Sequence, residues 1–415
     1  MFNINNHYFR SNCRQCNSKN LSIAIKLRET PPANSFVKKS EISKKQTLYP
    51  LNVYFCNNCN HLQLLDVINP DYLYKQYLYV SGTSPVFVKH FQEYFQFIKG
   101  NYFDHGLVID IGSNDGTLLK FFKEDGYEVI GIEPAKKIAT EAITNGIPTL
   151  IEFFSKDLSE RILDKYHSVS VVTANNVFAH IDNPTDFLAG VKNLIKESKG
   201  IFIFEVSYLL DVIKDKLFDT IYHEHLDYHS IISFDRFFKR NGFEIINVEH
   251  VNSHGGSIRV CTQLIGGNFN ISNSVLDFIK KEKEFGLDKI DIYYDFNRKI
   301  NSLGKDLNNL LHTLKSQGKT IAGYGAPAKA TTLMHHFGIG PDTISFIIDD
   351  SKWKQNLYSP GMHIPIVSRN FLKEKRVDYI IILAWNFASS IIENNIDFKS
   401  SGGKFIVPLP ELKII

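Results

Sequence analysis

Two cysteine pairs, Cys13-x-x-Cys16 and Cys56-x-x-Cys59, hold four of the five thiols in this chain. A tight turn inside each pair lets both sulfurs reach one tetrahedral ion, and four thiolates leave no coordination position for water or substrate. The spacing predicts one closed, structural zinc site with Cys13, Cys16, Cys56 and Cys59 as ligands. Disulfides are the poorer reading in a large reduced protein. His61, two residues past Cys59, reads as a supporting or surface histidine. Cys261, within the apolar run Ile258 to Leu264, reads as a buried strand residue.

A second concentration of chemistry lies in Val108-Ile-Asp-Ile-Gly-Ser-Asn-Asp-Gly-Thr-Leu-Leu, a small-residue turn between an apolar strand and a helix. Gly112 and Gly116 would let the backbone approach a ligand, while Asp110 and Asp115, with Asn114 between the glycines, make the loop acidic. A pyrophosphate would be repelled there; a sulfonium carrying an α-amino group would be attracted. The glycines are also out of register with the dinucleotide pattern G-x-G-x-x-G. About twenty residues on, the strand Ile130-Gly-Ile ends in Glu133, a carboxylate suited to both hydroxyls of a ribose. Together these features match the nucleoside half-site of class I methyltransferases, and they predict S-adenosylmethionine as cofactor. Asn175 and Asn176, at the end of a further strand, are candidate cofactor contacts, with Phe154 as a candidate adenine-packing ring.

The turn Gly323-Tyr-Gly-Ala-Pro-Ala-Lys329 also follows a strand and opens a helix, but it carries a lysine and no acid. Gly323, Tyr324, Gly325, Ala326 and Lys329 therefore suit a diphosphate. Asp350 or Lys352, after the next strand, would meet a base or ribose. His254-Gly-Gly-Ser257-Ile-Arg259 has the small residues and the cation of another nucleotide or sugar contact.

These residues need elements to hold them. Apolar runs at Leu107–Ile111, Val129–Ile132, Val169–Ala174 and Ile201–Glu205 alternate with segments of helical periodicity, the rhythm of parallel strands with crossover helices. Between Ser272 and Ser316 apolar residues recur at largely helical spacing without a proline, predicting one long or broken helix. Runs at Thr320–Gly323, Ile344–Ile348, Tyr379–Leu383 and Lys404–Val407 then repeat the strand rhythm. The expected fold is α/β: a zinc module over residues 1–80, a Rossmann-like class I domain over 81–265, and a second Rossmann-like domain with its connecting helix over 266–415.

Composition narrows the function. At 415 residues and 43% hydrophobic, the chain calls for several cores. A net charge of +3 from 47 basic and 44 acidic residues spreads no field of the kind that holds nucleic acid. No window approaches a membrane span and the start lacks a secretory pattern, so a cytoplasmic protein, monomeric or a small homo-oligomer, is expected.

The order of the two cysteine pairs, Asp110-Ile-Gly-Ser-Asn-Asp-Gly-Thr, Tyr222-His-Glu-His, His254-Gly-Gly-Ser and Gly323-Tyr-Gly-Ala-Pro-Ala-Lys resembles the sugar C-methyltransferases that add methyl branches to nucleotide-linked deoxysugars. The resemblance spans essentially the whole chain. It implies a carboxyl-terminal domain that holds the nucleotide of a keto sugar. Methylating carbon requires removing a proton beside a carbonyl and stabilising the enolate. Tyr222-His-Glu-His225-Leu-Asp-Tyr-His229 packs suitable groups into eight residues. By similarity, His225 matches the general base, Glu224 the carboxylate beside it and Tyr222 a hydroxyl near the sugar. His180 matches another active-site histidine, and Tyr79 is favoured over Tyr77 as a contributed tyrosine. His223 and His229 read as structural. The competing readings are an O- or N-methyltransferase of a sugar or other small molecule, and a non-enzymatic nucleotide-sugar-binding module.

Overall fold

The computed structural model describes residues 6–74, 85–103, 105–253 and 255–415. Tyr79, Tyr77 and His254 lie outside the described residues.

The strands Leu107–Ile111, Glu128–Ile132, Thr149–Leu150, Val171–Asn175 and Ile201–Ser207 pair in parallel. Leu107–Ile111 is buried along its whole length, as a parallel strand covered by helices on both faces must be. Leu107–Ile111 and Val171–Asn175 are neighbours although two strands separate them in sequence. The chain builds outward in one direction from the first strand, then returns and builds in the other. That reversal opens a crevice at the strand ends. Ser257–Leu264 lies antiparallel between Ile201–Ser207 and Phe243–Val251, and the latter forms the edge of the sheet. Cys261 is buried in this strand. This is the class I methyltransferase arrangement.

The expected long or broken helix is broken. Asn273–Phe285 ends at Gly286 with φ of 93°, and Asp291–Ser316 begins afresh. The second helix turns Tyr293, Phe296, Ile300, Leu307, Leu311 and Leu314 to the interior, the stripe of an amphipathic helix. Beyond it, Ile366–Val367, Ile347–Ile348, Ile321–Tyr324, Tyr379–Ile382 and Lys404–Val407 form a second parallel sheet in that spatial order, edged by antiparallel Lys413–Ile414. The apolar run at 344–348 keeps only its last two residues as strand.

The cysteine-rich region is built on Leu21–Thr30, Tyr49–Cys56 and Leu62–Leu64. Two pairings cross the expected domain boundaries. Asp227–Tyr228, just after the Tyr222-His-Glu-His stretch, is the edge strand of the cysteine module's sheet. Val37–Lys38, on an arm of that module, pairs with Leu357–Tyr358 of the carboxyl-terminal region. No helix among the described residues is long and apolar enough to cross a membrane.

Candidate active site

The four sulfurs of Cys13, Cys16, Cys56 and Cys59 lie within 4.8 Å of one another, with Cys13 to Cys59 at 3.6 Å and Cys16 to Cys56 at 3.5 Å. A tetrahedron with Zn–S bonds of about 2.3 Å has edges of about 3.8 Å, so the donor set fits zinc. The thiolates would hold the ion and give it no open face for chemistry. His61 is fully buried and binds Asp227 through Nε2 at 2.6 Å, a supporting histidine rather than a surface one.

A cavity of about 1630 Å³ runs from the cysteine module's arm past the crevice of the central sheet to the carboxyl-terminal region. At the crevice, Asp110 accepts a hydrogen bond from Thr173 Oγ1 at 2.6 Å. Burial, reinforced by the nearby Glu133 charge, pushes Asp110 up to about 7. The Glu133 carboxylate accepts the amides of Asn114 at 3.1 Å and Ala135 at 2.8 Å, which aim it into the cavity. Burial raises its pKa and those two amides pull it partly back. Asn175 lines the same wall with both carboxamide atoms buried and unpartnered. Leaving such a group unmade costs about 1 to 3 kcal/mol, which a ligand with donors and acceptors would relieve. The residues fit S-adenosylmethionine: carboxylates for the ribose and the cationic end, and an amide waiting for polar contacts.

Gly112, Asn114, Asn176 and Phe154 also line the cavity; Asp115 and Gly116 do not. Asp115 Oδ1 turns back to Thr117, accepting its hydroxyl at 2.7 Å. The need for glycine also differs from the expected one. A Cβ on Gly112 would fall 2.3 Å from Val177, and one on Gly116 would fall 2.9 Å from Ile147, both at positive φ. Protein packing and backbone conformation therefore require these glycines, independently of ligand approach.

The Tyr222-His-Glu-His stretch faces the cavity through Tyr222, Glu224 and His225. His225 Nδ1 lies 2.8 Å from the Thr220 carbonyl, which can only accept, so the proton resides on Nδ1. In the neutral ring Nε2 is then the basic nitrogen, and the Tyr222 hydroxyl meets it at 2.9 Å. His180 Nδ1 donates in the same way to the Glu224 carbonyl at 2.6 Å, and its ring centre is 5.1 Å from that of His225. Burial lowers the His180 pKa and keeps that ring neutral. The Glu224 carboxyl takes its hydrogen bonds from Asn34 and not from His225. Asn34, on the cysteine module's arm, donates to it at 3.2 and 3.4 Å, and burial pushes it up to about 7. His223 and His229 are buried, His223 on the Pro50 carbonyl at 3.1 Å and His229 stacked on Phe234 at 4.5 Å.

In the carboxyl-terminal region only Lys329 of the expected contacts reaches the cavity. The Gly323 to Lys329 turn spends its amides internally: Gly325 on Ile348 O at 2.7 Å and Ala326 on Asp349 at 2.7 Å. Tyr324 donates to Asp350, removing both from the wall. Lys354, two residues past the expected Lys352, lines the cavity beside Ser351. Ser257 donates to the Ser253 carbonyl. Arg259 is buried behind the wall, paired with Glu205 at 2.7 Å and stacked on Tyr94 at 4.2 Å, so its charge is spent inside the protein.

Other lining groups also escaped sequence reading, among them Trp385, His90 and Asn34. Trp385 carries Lys329 over its ring at 4.0 Å and donates to the fully buried Asp219 at 2.6 Å. His90 reaches Glu205 at 2.7 Å. Asn34 holds Glu224, as above. Each is a single residue in an unremarkable stretch, and no spacing marks it.

The fold and these groups define an S-adenosylmethionine-dependent methyltransferase with a zinc-binding domain. Residues 13–74 match a zinc binding domain model, 89–248 a methyltransferase domain, and 252–410 the C-methyltransferase C-terminal domain. The chain is 32% identical to the C-methyltransferase NovU of Streptomyces niveus over 97% of its own length and 96% of that protein's. It belongs to the C-methyltransferase family. Among solved structures, magnesium protoporphyrin IX methyltransferase from Synechocystis PCC 6803 superposes with a TM-score of 0.33 at 17% identity, covering 46% of this chain and 90% of that one. The YcgJ protein of Bacillus gives a TM-score of 0.34 at 14% identity, covering 43% and 100%.

Proposed function

We propose that this enzyme methylates a ring carbon of a nucleotide-linked keto-deoxysugar through an enolate. The observation that carries the reading is the locked tautomer of His225, whose basic Nε2 faces the cavity that also holds Glu133 and Asn175. A nitrogen or oxygen nucleophile gains less from such a base than carbon does, because carbon has no lone pair to offer.

In this reading the proton on the carbon beside the ketone passes to His225 Nε2, directly or through the Tyr222 hydroxyl that meets it. The Thr220 carbonyl stabilises the resulting imidazolium through Nδ1–H. His180, whose Nδ1 proton is given to the Glu224 carbonyl, packs beside His225 with ring centres 5.1 Å apart and shapes the wall against which the sugar would lie. S-adenosylmethionine, when bound, would supply an electrophilic methyl group for the enolate carbon, its sulfonium leaving as the neutral thioether. Lys329 and Lys354 attract the diphosphate of the nucleotide. Residues 1–80 then serve as the zinc module, 81–265 as the cofactor domain and 266–415 as the nucleotide-sugar domain.

Purified enzyme incubated with the cofactor and a panel of nucleotide keto sugars tests the reading by mass spectrometry. A gain of one methylene on a sugar carbon is expected. The same sugars reduced to alcohols should stay unmethylated at carbon; methylation of those alcohols at comparable rates, or methyl groups found only on oxygen or nitrogen, would refute it.

A further inference from the structure

The cysteine module touches the catalytic loops at two points that share a pattern, one part-buried and one fully buried. Arg14, inside the first cysteine pair, has a fully buried side chain whose Nε binds Asp182 Oδ1 at 3.0 Å. Asp182 lies two residues after His180 and lines the cavity. His61, two residues after the second pair, binds Asp227 Oδ1 at 2.6 Å, with both side chains buried. Asp227 lies two residues after His225.

Main-chain bonds run between the same three segments. The Leu64 amide donates to the Leu226 carbonyl at 2.8 Å, and the Leu226 amide donates to the Ala179 carbonyl at 2.7 Å. The strand Leu62–Leu64, the segment through Leu226 and the turn before His180 therefore lie side by side. Arg14 ties into the same place, taking Gln63 Oε1 with its own amide at 3.0 Å and reaching the Leu64 carbonyl with its guanidinium. Tyr8 and Arg10 add further bonds to Asp182 from the chain just before the first cysteine pair.

A module that only stabilised the chain would need no such aim. A buried polar or ionic pair adds little stability over apolar packing of similar volume, and its best-attested use is to specify one geometry. Here each pair joins a residue next to the metal ligands to a residue two positions from an active-site histidine. We propose that Arg14 and His61 are positioning residues. They set the places of His180 and His225 in the cavity, so that the zinc module is part of the catalytic geometry. The inference rests on the reading that these two histidines serve the reaction.

The test uses full-length, zinc-loaded protein and four variants: Arg14→Met, His61→Leu, Asp227→Asn, and the matched His61→Leu/Asp227→Leu, which leaves no unpaired buried charge. Zinc content, cofactor affinity by calorimetry, kcat and KM, and the ring resonances of ¹⁵N-labelled His180 and His225 are measured on each. Arg14→Met should shift the His180 resonances and His61→Leu those of His225. In both, kcat should fall roughly tenfold to a hundredfold with KM little changed, the scale expected when a reacting group is misplaced by about an ångström. Zinc stays at one per chain. The double variant should fold and bind zinc yet keep the displaced His225 resonances and the low kcat. Asp227→Asn, whose amide oxygen still accepts from His61, should restore both. Wild-type resonances and kcat in zinc-replete Arg14→Met and in the double variant would overturn the proposal. So would kcat falling only in step with zinc content in all four. If the wild type methylates no keto sugar, the substrate reading fails, and the ring resonances still decide the positioning.

Discussion

The Tyr222 hydroxyl lies 2.9 Å from His225 Nε2, and the two rings are 4.1 Å apart between centres. With Nδ1 committed to the Thr220 carbonyl, this contact marks the one nitrogen of His225 that can act as a base. Tyr222→Phe keeps the ring packing and removes the hydroxyl. It should lower kcat by about one to two orders of magnitude while leaving cofactor affinity unchanged, and His225→Gln should cost more, within the range of about 10² to 10⁴ for a lost general base. Solvent deuterium exchange at the carbon beside the ketone, followed by NMR, should fall with kcat in both. Full activity in His225→Gln would remove the base from the mechanism.

Glu133 is held by two backbone amides, so its carboxylate is oriented before any ligand arrives. Glu133→Ala should weaken cofactor binding by roughly tenfold to several hundredfold, the loss of charge-assisted bonds worth about 1.5 to 3 kcal/mol each. Glu133→Gln, which still accepts from both amides, should fall between. An unchanged dissociation constant in Glu133→Ala would take the residue out of the cofactor site.

Asp110 sits near pH 7 because burial disfavours its charge. A cationic ligand placed beside it favours the charged form and lowers that value. Cofactor binding at pH 7 should therefore release a fraction of a proton, visible as a binding enthalpy that differs between phosphate and Tris buffers. Asp110→Asn should remove the difference. Equal enthalpies in both buffers for the wild type would count against Asp110 facing the cationic end.

Glu224 has an ordinary value of 4.5 and is pushed up to about 7, chiefly by burial. A carboxyl raised in the fold holds its proton more tightly there than in the unfolded chain. The stability this contributes is complete below 4.5 and is lost as pH rises through about 7. Thermal scans of the wild type should show a melting temperature declining from pH 5 to pH 8, and Glu224→Gln, permanently neutral, should flatten part of that decline. A Glu224→Gln profile parallel to the wild type would show that Glu224 is not the group responsible.

Lys329 lies over the Trp385 ring, with the indole tied to Asp219. Burial lowers the lysine's pKa while the Asp219 charge supports its protonated form. Lys329→Met should raise KM for the nucleotide sugar about tenfold or more through the loss of a buried cation, with the cofactor dissociation constant unmoved. Trp385→Phe, which leaves Asp219 without its indole partner, should do the same more weakly. Steady-state kinetics beside calorimetry separates the two, and a change confined to cofactor affinity would place Lys329 at the other end of the cavity.

Much of this molecule is written locally. The two Cys-x-x-Cys turns, the strand, loop and helix around Asp110 to Gly116, Glu133 at a strand end and the crowded Tyr222 to His225 stretch were all legible, because metal ligation and a βα turn depend on residues a few positions apart. The alternation of apolar runs and helical periods likewise marked both parallel sheets. What the linear order could not decide is which distant residue answers each of these. Asn34 meets Glu224 across 190 positions, Arg14 meets Asp182 across 168, and Trp385 meets Asp219 across 166. Arg259 shows the converse, a cation that suits a phosphate by type but is neutralised by Glu205 once two strands pair. Spacing carries chemistry only over the reach of a turn; whether a charge faces ligand, water or a buried partner is set by the packing of elements far apart in the chain.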